Sequence, residues 1–249
     1  MIGIVGGVGP LAGVDIVTKI IEETTAGADQ EHLPVILSSQ PHRIVDRTEY
    51  LLGKTHENPA FALVQIIREL EKAGATVVAI PCNTAHSPRI FNIIRSELDS
   101  AGCKVKLLNM AEETASHILK HQGNIHVGVL STTGTRNTGL YRNILERYGL
   151  IPVELNYIWQ EKIHAAVYDT AYGIKAFSSP VSNRARREVL EAIDELKNSG
   201  AQAVILGCTE LPLAIREKKY AGLPVIDPNR ILARALIREL DPEKLKTTG

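Results

Sequence analysis

The sequence predicts an α/β fold built as two similar halves, each a mainly parallel sheet covered by helices on both faces. Three observations predict it: short, continuously apolar runs rich in Val, Ile and Leu; longer stretches of helical periodicity between them; and a pattern that returns about 126 residues later. Apolar runs without polar alternation read as strands buried on both faces. Their alternation with helices reads as successive βαβ units.

The first run, 2–5, leads through Gly6-Gly7-Val8-Gly9-Pro10 into a helical stretch over 10–24. Further strand-like runs lie at 34–37, 77–80, 105–108, 127–130, 153–155, 204–206 and 224–226. Helical patterns lie at 58–73, 87–99, 110–121, 140–148, 183–199 and 229–240. The polar tail, 241–249, is expected to fray.

The repeat supports two related halves. Gly3-Ile4-Val5 is matched by Gly128-Val129-Leu130, 125 positions on, and Leu70-Glu71-Lys72-Ala73-Gly74-Ala75 by Leu196-Lys197-Asn198-Ser199-Gly200-Ala201, 126 positions on. Each of the latter precedes an apolar strand and then a cysteine, and Cys82 and Cys208 are again 126 apart. Gly-Ala before a strand is common in such folds; three ordered matches at nearly one offset favour duplication. Halves of this length are domain-sized.

Composition narrows the function. The chain has 249 residues, 28 basic and 28 acidic, and a formal charge of zero. It lacks the basic excess of a nucleic-acid binder, and no apolar run approaches the length of a membrane helix. The opening Met1-Ile2-Gly3-Ile4-Val5 lacks the basic region of a signal peptide, so a cytoplasmic location is expected. Three cysteines are too few for a disulfide framework and suit a reducing compartment. With no Cys-x-x-Cys pair, a metal site is not expected.

Chemistry centres on Cys82 and Cys208, each at the carboxyl end of an expected buried strand, in Ile80-Pro81-Cys82-Asn83-Thr84 and Leu206-Gly207-Cys208-Thr209-Glu210. Ligands of open α/β sheets bind outside the carboxyl ends of strands. A helix start there offers unpaired N–H groups and a positive dipole end, which is expected to lower the thiol pKa. A lone cysteine is usually a small buried hydrophobe; two at one duplicated position favour function. Cys103 has no such context. Asn83, Thr84 and Thr209 offer donors for a carboxylate, or alternatively cap helices. Gly6-Gly7-Val8-Gly9-Pro10 lacks the spacing of a dinucleotide fingerprint and reads as a tight turn against a small ligand. Ser131-Thr132-Thr133-Gly134-Thr135 holds the matching position and suits an anion. On spacing alone Arg47 and Lys175 are surface charges. His86, four after Cys82, and Glu210, two after Cys208, are candidate assisting groups; capping or packing accounts for His86 equally well.

Together Gly6-Gly7-Val8-Gly9-Pro10-Leu11, Asp46-Arg47-Thr48, Pro81-Cys82-Asn83-Thr84-Ala85-His86, Tyr172-Gly173-Ile174-Lys175 and Gly207-Cys208-Thr209-Glu210-Leu211-Pro212 resemble the aspartate/glutamate racemase family, most closely its aspartate racemase branch. The resemblance implies two pseudo-symmetric three-layer α/β/α domains with the active site in the interdomain cleft. It implies that the C-terminal helix returns to the first domain, giving 1–106 plus 224–249 with Cys82, and 107–223 with Cys208. Cys82 and Cys208 would be the catalytic acid/bases. Asn83, Thr84, Thr209 and Thr133 would hold the α-carboxylate, and Arg47 and Lys175 the side-chain carboxylate. Val8 stands where the family usually has Met, which reshapes the pocket wall.

The expected activity is interconversion of L- and D-aspartate, with glutamate next, without a cofactor and in a homodimer. The alternatives are a broad-specificity racemase, another isomerase such as a hydantoin racemase or maleate isomerase-like enzyme, and a non-catalytic dicarboxylate-binding protein. A pyridoxal enzyme using Lys175 is disfavoured, because no phosphate loop accompanies that lysine.

Overall fold

Four strands, β1 (Ile2–Gly6), β2 (Val35–Ser39), β3 (Val77–Ala79) and β4 (Lys106–Leu107), pair in parallel in the order β2-β1-β3-β4. The computed structural model describes residues 1–247. Five further strands, β5 (His126–Leu130), β6 (Ile151–Val153), β7 (Ala203–Leu206), β8 (Lys219–Tyr220) and β9 (Leu223–Ile226), form a second sheet in the order β6-β5-β7-β9-β8. It is parallel apart from the short β8–β9 hairpin. Read from the edge, β6-β5-β7-β9 repeats the order β2-β1-β3-β4.

The duplication extends to packing. A side chain at Gly3 of β1 would meet Ala75 Cβ at 2.9 Å and Leu70 Cβ at 3.4 Å. One at Gly128 of β5 would meet Ala201 Cβ at 3.2 Å and Leu196 Cβ at 3.2 Å. Both glycines let a helix lie close on its sheet: α3 (Ala60–Lys72) in the first case and α9 (Asn183–Asn198) in the second. The residues of the sequence repeat are thus structural equivalents.

Successive residues of each buried strand face opposite layers. In the first unit Ile2, Ile4, Val77 and Ala79 pack with Ile16 and Ile20 of α1 (Pro10–Glu23) and with Leu232 and Leu236 of α11 (Pro228–Leu240). Val5, Val78 and Ile80 face the other way, onto Leu63 and Ile67 of α3 and Ile94 of α4 (Pro88–Ser100). Each such Ile or Leu contributes about 1.5–3 kcal/mol on burial. In the second unit Leu130, Val204 and Leu206 pack against Ile163 and Val167 of α8 (Tyr157–Tyr168) and Val189 and Ile193 of α9. The remaining helices are α2 (Arg47–Leu51), α5 (Met110–Gln122), α6 (Thr133–Asn137), α7 (Leu140–Arg147) and α10 (Leu211–Ala214).

The chain divides into a unit of Met1–Glu113 joined by the segment from Asn229 onward, and a unit of Thr114–Pro228. The crossings fall later than the expected 106/107 and 223/224, because β4 pairs with β3 and β9 pairs with β7. In the first unit α11 is fixed by Asn229, whose Nδ2 donates to the Ala12 carbonyl at 3.2 Å and Asp15 Oδ2 at 2.7 Å, and by Arg230 and Arg234 paired with Glu23.

Two expectations are corrected. The tail does not fray over its described part: Thr25 N–H donates to the Lys244 carbonyl and Lys246 N–H to that of Glu23. Residues 248 and 249 lie outside the described residues. The strand expected at 153–155 is β6, ending at Val153, and the following segment turns into α8, which the periodicity did not suggest. Tyr157 and Ile158 of α8 are 74 % and 68 % exposed, so its apolar residues do not trace one stripe. Asn156 starts it, accepting from Trp159 N–H at 3.1 Å. Among the described residues no helix is long and apolar enough to cross a membrane.

Candidate active site

In the first unit Cys82 follows β3 and is buried, in extended backbone at the entrance to a 3-10 turn over Asn83–His86. Asn83, Thr84 and His86 are all buried on that turn. Val8, in the loop after β1, packs in the same apolar cluster as Cys82, Ile44 and Ala85. That loop is pressed against the chain after β2: Gly7 has φ 83°, and a Cβ there would lie 2.6 Å from the nitrogen of Pro41. Only glycine meets both demands.

Arg47 is the first residue of α2, whose start is capped by the Asp46 side chain accepting from Glu49 N–H at 3.0 Å. Helix α2 packs on the Asn83–His86 turn. Spacing alone made Arg47 a surface charge, and the structure corrects this: the residue is only 7 % exposed. Its Nη1 donates to the Val45 carbonyl at 3.3 Å. A guanidinium is costly to bury without polar company, so its placement beside the cysteine turn is a specific feature.

The imidazole of His86 is directed to main chain. Its Nδ1 lies 2.9 Å from the Cys82 carbonyl, and its ring stacks on Phe91 with centroids 4.9 Å apart. Burial lowers its pKa to about 4, against the opposing pull of the Cys82 and Leu108 carbonyls and of Glu112. His86 is therefore neutral at pH 7 and braces the turn that carries Cys82.

In the second unit Cys208 follows β7, also buried. Gly207 before it allows a close approach: a Cβ would meet the Leu130 carbonyl oxygen at 2.9 Å and Tyr141 Cε2 at 3.1 Å. The Cys208 thiol donates to Glu210 Oε2 at 3.0 Å, and the Thr209 hydroxyl lies 3.3 Å from the same oxygen. The expectation of a lowered thiol pKa fails here. Burial, the charge of Glu210 and the hydrogen bond to it push Cys208 well above the usual thiol range, with Lys175 opposing them. Desolvation and a like-signed neighbour outweigh whatever the short α10 helix supplies. Cys208 is a protonated thiol at neutral pH.

Thr133 opens α6 after β5, its hydroxyl oxygen buried, and its N–H points at His164 Nδ1, 3.4 Å away. Lys175 lies in the loop after α8, its side chain exposed and its ammonium 4.0 Å from the ring centre of Tyr168. Tyr141 backs Cys208. Burial raises its phenol pKa, against a hydrogen bond with Thr114. His164, Tyr168 and Tyr141 were not singled out from the sequence. A signal for the first two was present, since they stand four apart on one helix face just before Tyr172-Gly173-Ile174-Lys175.

A hollow in the second unit is lined by Ser131, Thr135, Arg136, Tyr141, Glu154 and Gln160 among others, but by none of Thr133, Lys175, Cys208, Thr209 or Glu210. Its polar groups are engaged with one another: Arg142 pairs with Glu154, Arg136 donates to the Leu155 carbonyl at 2.8 Å, and Gln160 to that of Ser131 at 2.8 Å. His117 and His121 stand one turn apart on α5, their rings tilted by 42° with centroids 4.4 Å apart. Among the described residues no group of three or more His, Cys, Asp or Glu side chains is arranged to hold a metal ion. Cys103 is half-buried, its thiol pKa raised by burial and by Glu71.

Residues 5–236 match the family described as Asp/Glu/Hydantoin racemase. The chain is 26 % identical over 246 residues to the broad specificity amino-acid racemase RacX of Bacillus subtilis, covering 95 % of this chain and 96 % of that protein. Among solved structures it is similar to the Picrophilus torridus aspartate racemase, with 32 % identity, a TM-score of 0.80, and 96 % and 93 % of the two chains covered. It is also similar to an aspartate racemase homologue from Pyrococcus horikoshii, with 27 % identity, a TM-score of 0.73, and 96 % and 97 % covered.

Proposed function

The chain belongs to the Asp/Glu/hydantoin racemase family, and on that premise we propose that it racemises aspartate with Cys82 and Cys208 as its two acid/bases. One observation carries the reading: in each unit of the duplicated fold an equivalent strand, β3 or β7, is followed within three residues by a buried cysteine and then by buried polar residues.

One cysteine, as thiolate, takes the α-proton. The electron pair of the Cα–H bond moves onto the α-carboxylate, and the other cysteine returns its S–H proton to the opposite face of Cα. The thiolate and thiol exchange roles when the other enantiomer reacts. Cys208 fits the proton-bearing role, because its environment holds the proton on sulfur and Glu210 accepts the S–H. Donors from Asn83, Thr84, Thr209 and Thr133 meet the α-carboxylate as charge builds there, where preorganised dipoles act most strongly. Buried Arg47 and the Lys175 ammonium bind the side-chain carboxylate. No cofactor takes part in this reading. The α-proton is only weakly acidic, so exclusion of water and fixed geometry must supply the activation.

A second reading, racemisation of several amino acids, is favoured by the similarity to RacX over nearly the whole chain and by Val8, a short side chain in the wall beside Cys82. Chiral analysis after incubation with each amino acid, aspartate and glutamate first, separates the two readings. The proposal expects D-aspartate from L-aspartate and the reverse, with racemisation abolished in both Cys82→Ser and Cys208→Ser. Full activity in either variant removes the two-thiol mechanism.

A further inference from the structure

The ammonium of Lys175 lies 4.0 Å from the centroid of the Tyr168 ring, well inside the range of cation–π attraction. The main chain enforces this proximity. Ile174 N–H donates to the Ala166 carbonyl at 2.8 Å and Lys175 N–H to the Val167 carbonyl at 3.1 Å, folding the loop back along the last turn of α8. Tyr168 is in turn stacked on His164, with centroids 4.9 Å apart and planes 18° apart. His164 Nδ1 faces the N–H of Thr133 at 3.4 Å. A continuous ladder of Thr133, His164, Tyr168 and Lys175 thus joins two residues expected to meet substrate through two that were not.

We propose that Tyr168, braced by His164, is a positioning residue that holds the Lys175 ammonium in place and so sets the preference for an acidic substrate side chain. The inference rests on the racemase reading above. An exposed lysine ordinarily samples many rotamers, and ordering it on binding costs entropy. A ring face restricts the stem beforehand and preserves the positive charge that an incoming carboxylate meets. Lys175 also stands close enough to Cys208 for its charge to favour the thiolate, which puts that charge within reach of the second half-site.

The test compares aspartate with asparagine, which has the same shape without the charge, in wild type, Tyr168→Leu and Tyr168→Phe. Kinetics give kcat and KM for aspartate, and calorimetry gives affinity for both ligands. Tyr168→Leu is expected to raise KM for aspartate about tenfold, with kcat nearly unchanged and asparagine affinity unaffected. Tyr168→Phe keeps the ring face and is expected to behave as wild type. Equal losses for the two ligands, or a Phe variant as impaired as the Leu variant, overturn the proposal.

A substrate-free readout guards against a misfolded variant. In wild type the Lys175 ε-methylene protons should be shifted upfield by the ring in an NMR spectrum, and should remain so in Tyr168→Phe. Ordinary lysine shifts in wild type overturn the proposal. A wild-type enzyme that racemises no acidic amino acid defeats the underlying reading instead, and the NMR result distinguishes the two failures.

Discussion

The Cys208 thiol donates to Glu210 Oε2 at 3.0 Å within a buried turn. A carboxylate beside a thiol stabilises the protonated sulfur by accepting its hydrogen and opposing the thiolate charge. Replacing Glu210 by Gln removes the charge and keeps the shape, so the thiol pKa should fall. In a Cys82→Ser, Cys103→Ser background, Glu210→Gln should be alkylated at pH 8 about three- to fourfold faster for each unit by which the pKa drops, the roughly tenfold gain in thiolate being partly offset by its lower nucleophilicity. An unchanged or slower rate contradicts this account of the thiol.

His86 makes folding sensitive to acid. Its pKa is about 4 in the folded protein, against the ordinary histidine value of 6.5, so the fold favours the neutral ring. That stability is fully present above pH 6.5 and is lost as pH falls from 6.5 towards 4, where the unfolded chain binds a proton and the native chain does not. The loss is about 3 kcal/mol across this window. Urea unfolding between pH 7 and pH 4 should show a shallower pH dependence in His86→Asn than in wild type, by about that amount. Parallel curves for the two proteins exclude the buried neutral ring.

Gly7 couples the fold to the loop beside Cys82. Its φ of 83° and the 2.6 Å approach of a built Cβ to Pro41 mean that Gly7→Ala must move the loop carrying Val8. Strained backbone of this kind costs on the order of 1–3 kcal/mol. Thermal melts should show that loss, and KM should rise because Val8 packs with Cys82. A Gly7→Ala protein with wild-type stability shows that the loop relaxes freely.

Much of the fold was legible because buried parallel strands announce themselves as unbroken apolar runs, and because Gly3, Leu70 and Ala75 recur as Gly128, Leu196 and Ala201 with the same contacts. Helix α8 was not legible, since Tyr157 and Ile158 put apolar residues on its exposed side. At the candidate site the cysteines stood out by equivalent spacing. The burial of Arg47 did not, because it follows from α2 packing on a turn 32 or more residues away. The raised pKa of Cys208 was not legible, for a physical reason. Position at a strand end argued for a helix dipole, whereas burial and the Glu210 carboxylate dominate. The Tyr168–Lys175 contact was not legible either, because a loop that folds back on its own helix brings the ammonium to the ring.

Two bases on opposite faces of one carbon leave an isotopic signature that a single base does not. The decisive measurement is incubation of L-aspartate, and separately D-aspartate, in heavy water, with deuterium followed at Cα of substrate and product at low conversion. The account predicts product that carries α-deuterium while the remaining substrate stays protiated, in both directions. Equal early labelling of substrate and product, as one base serving both faces would give, or no deuterium in either, would contradict it.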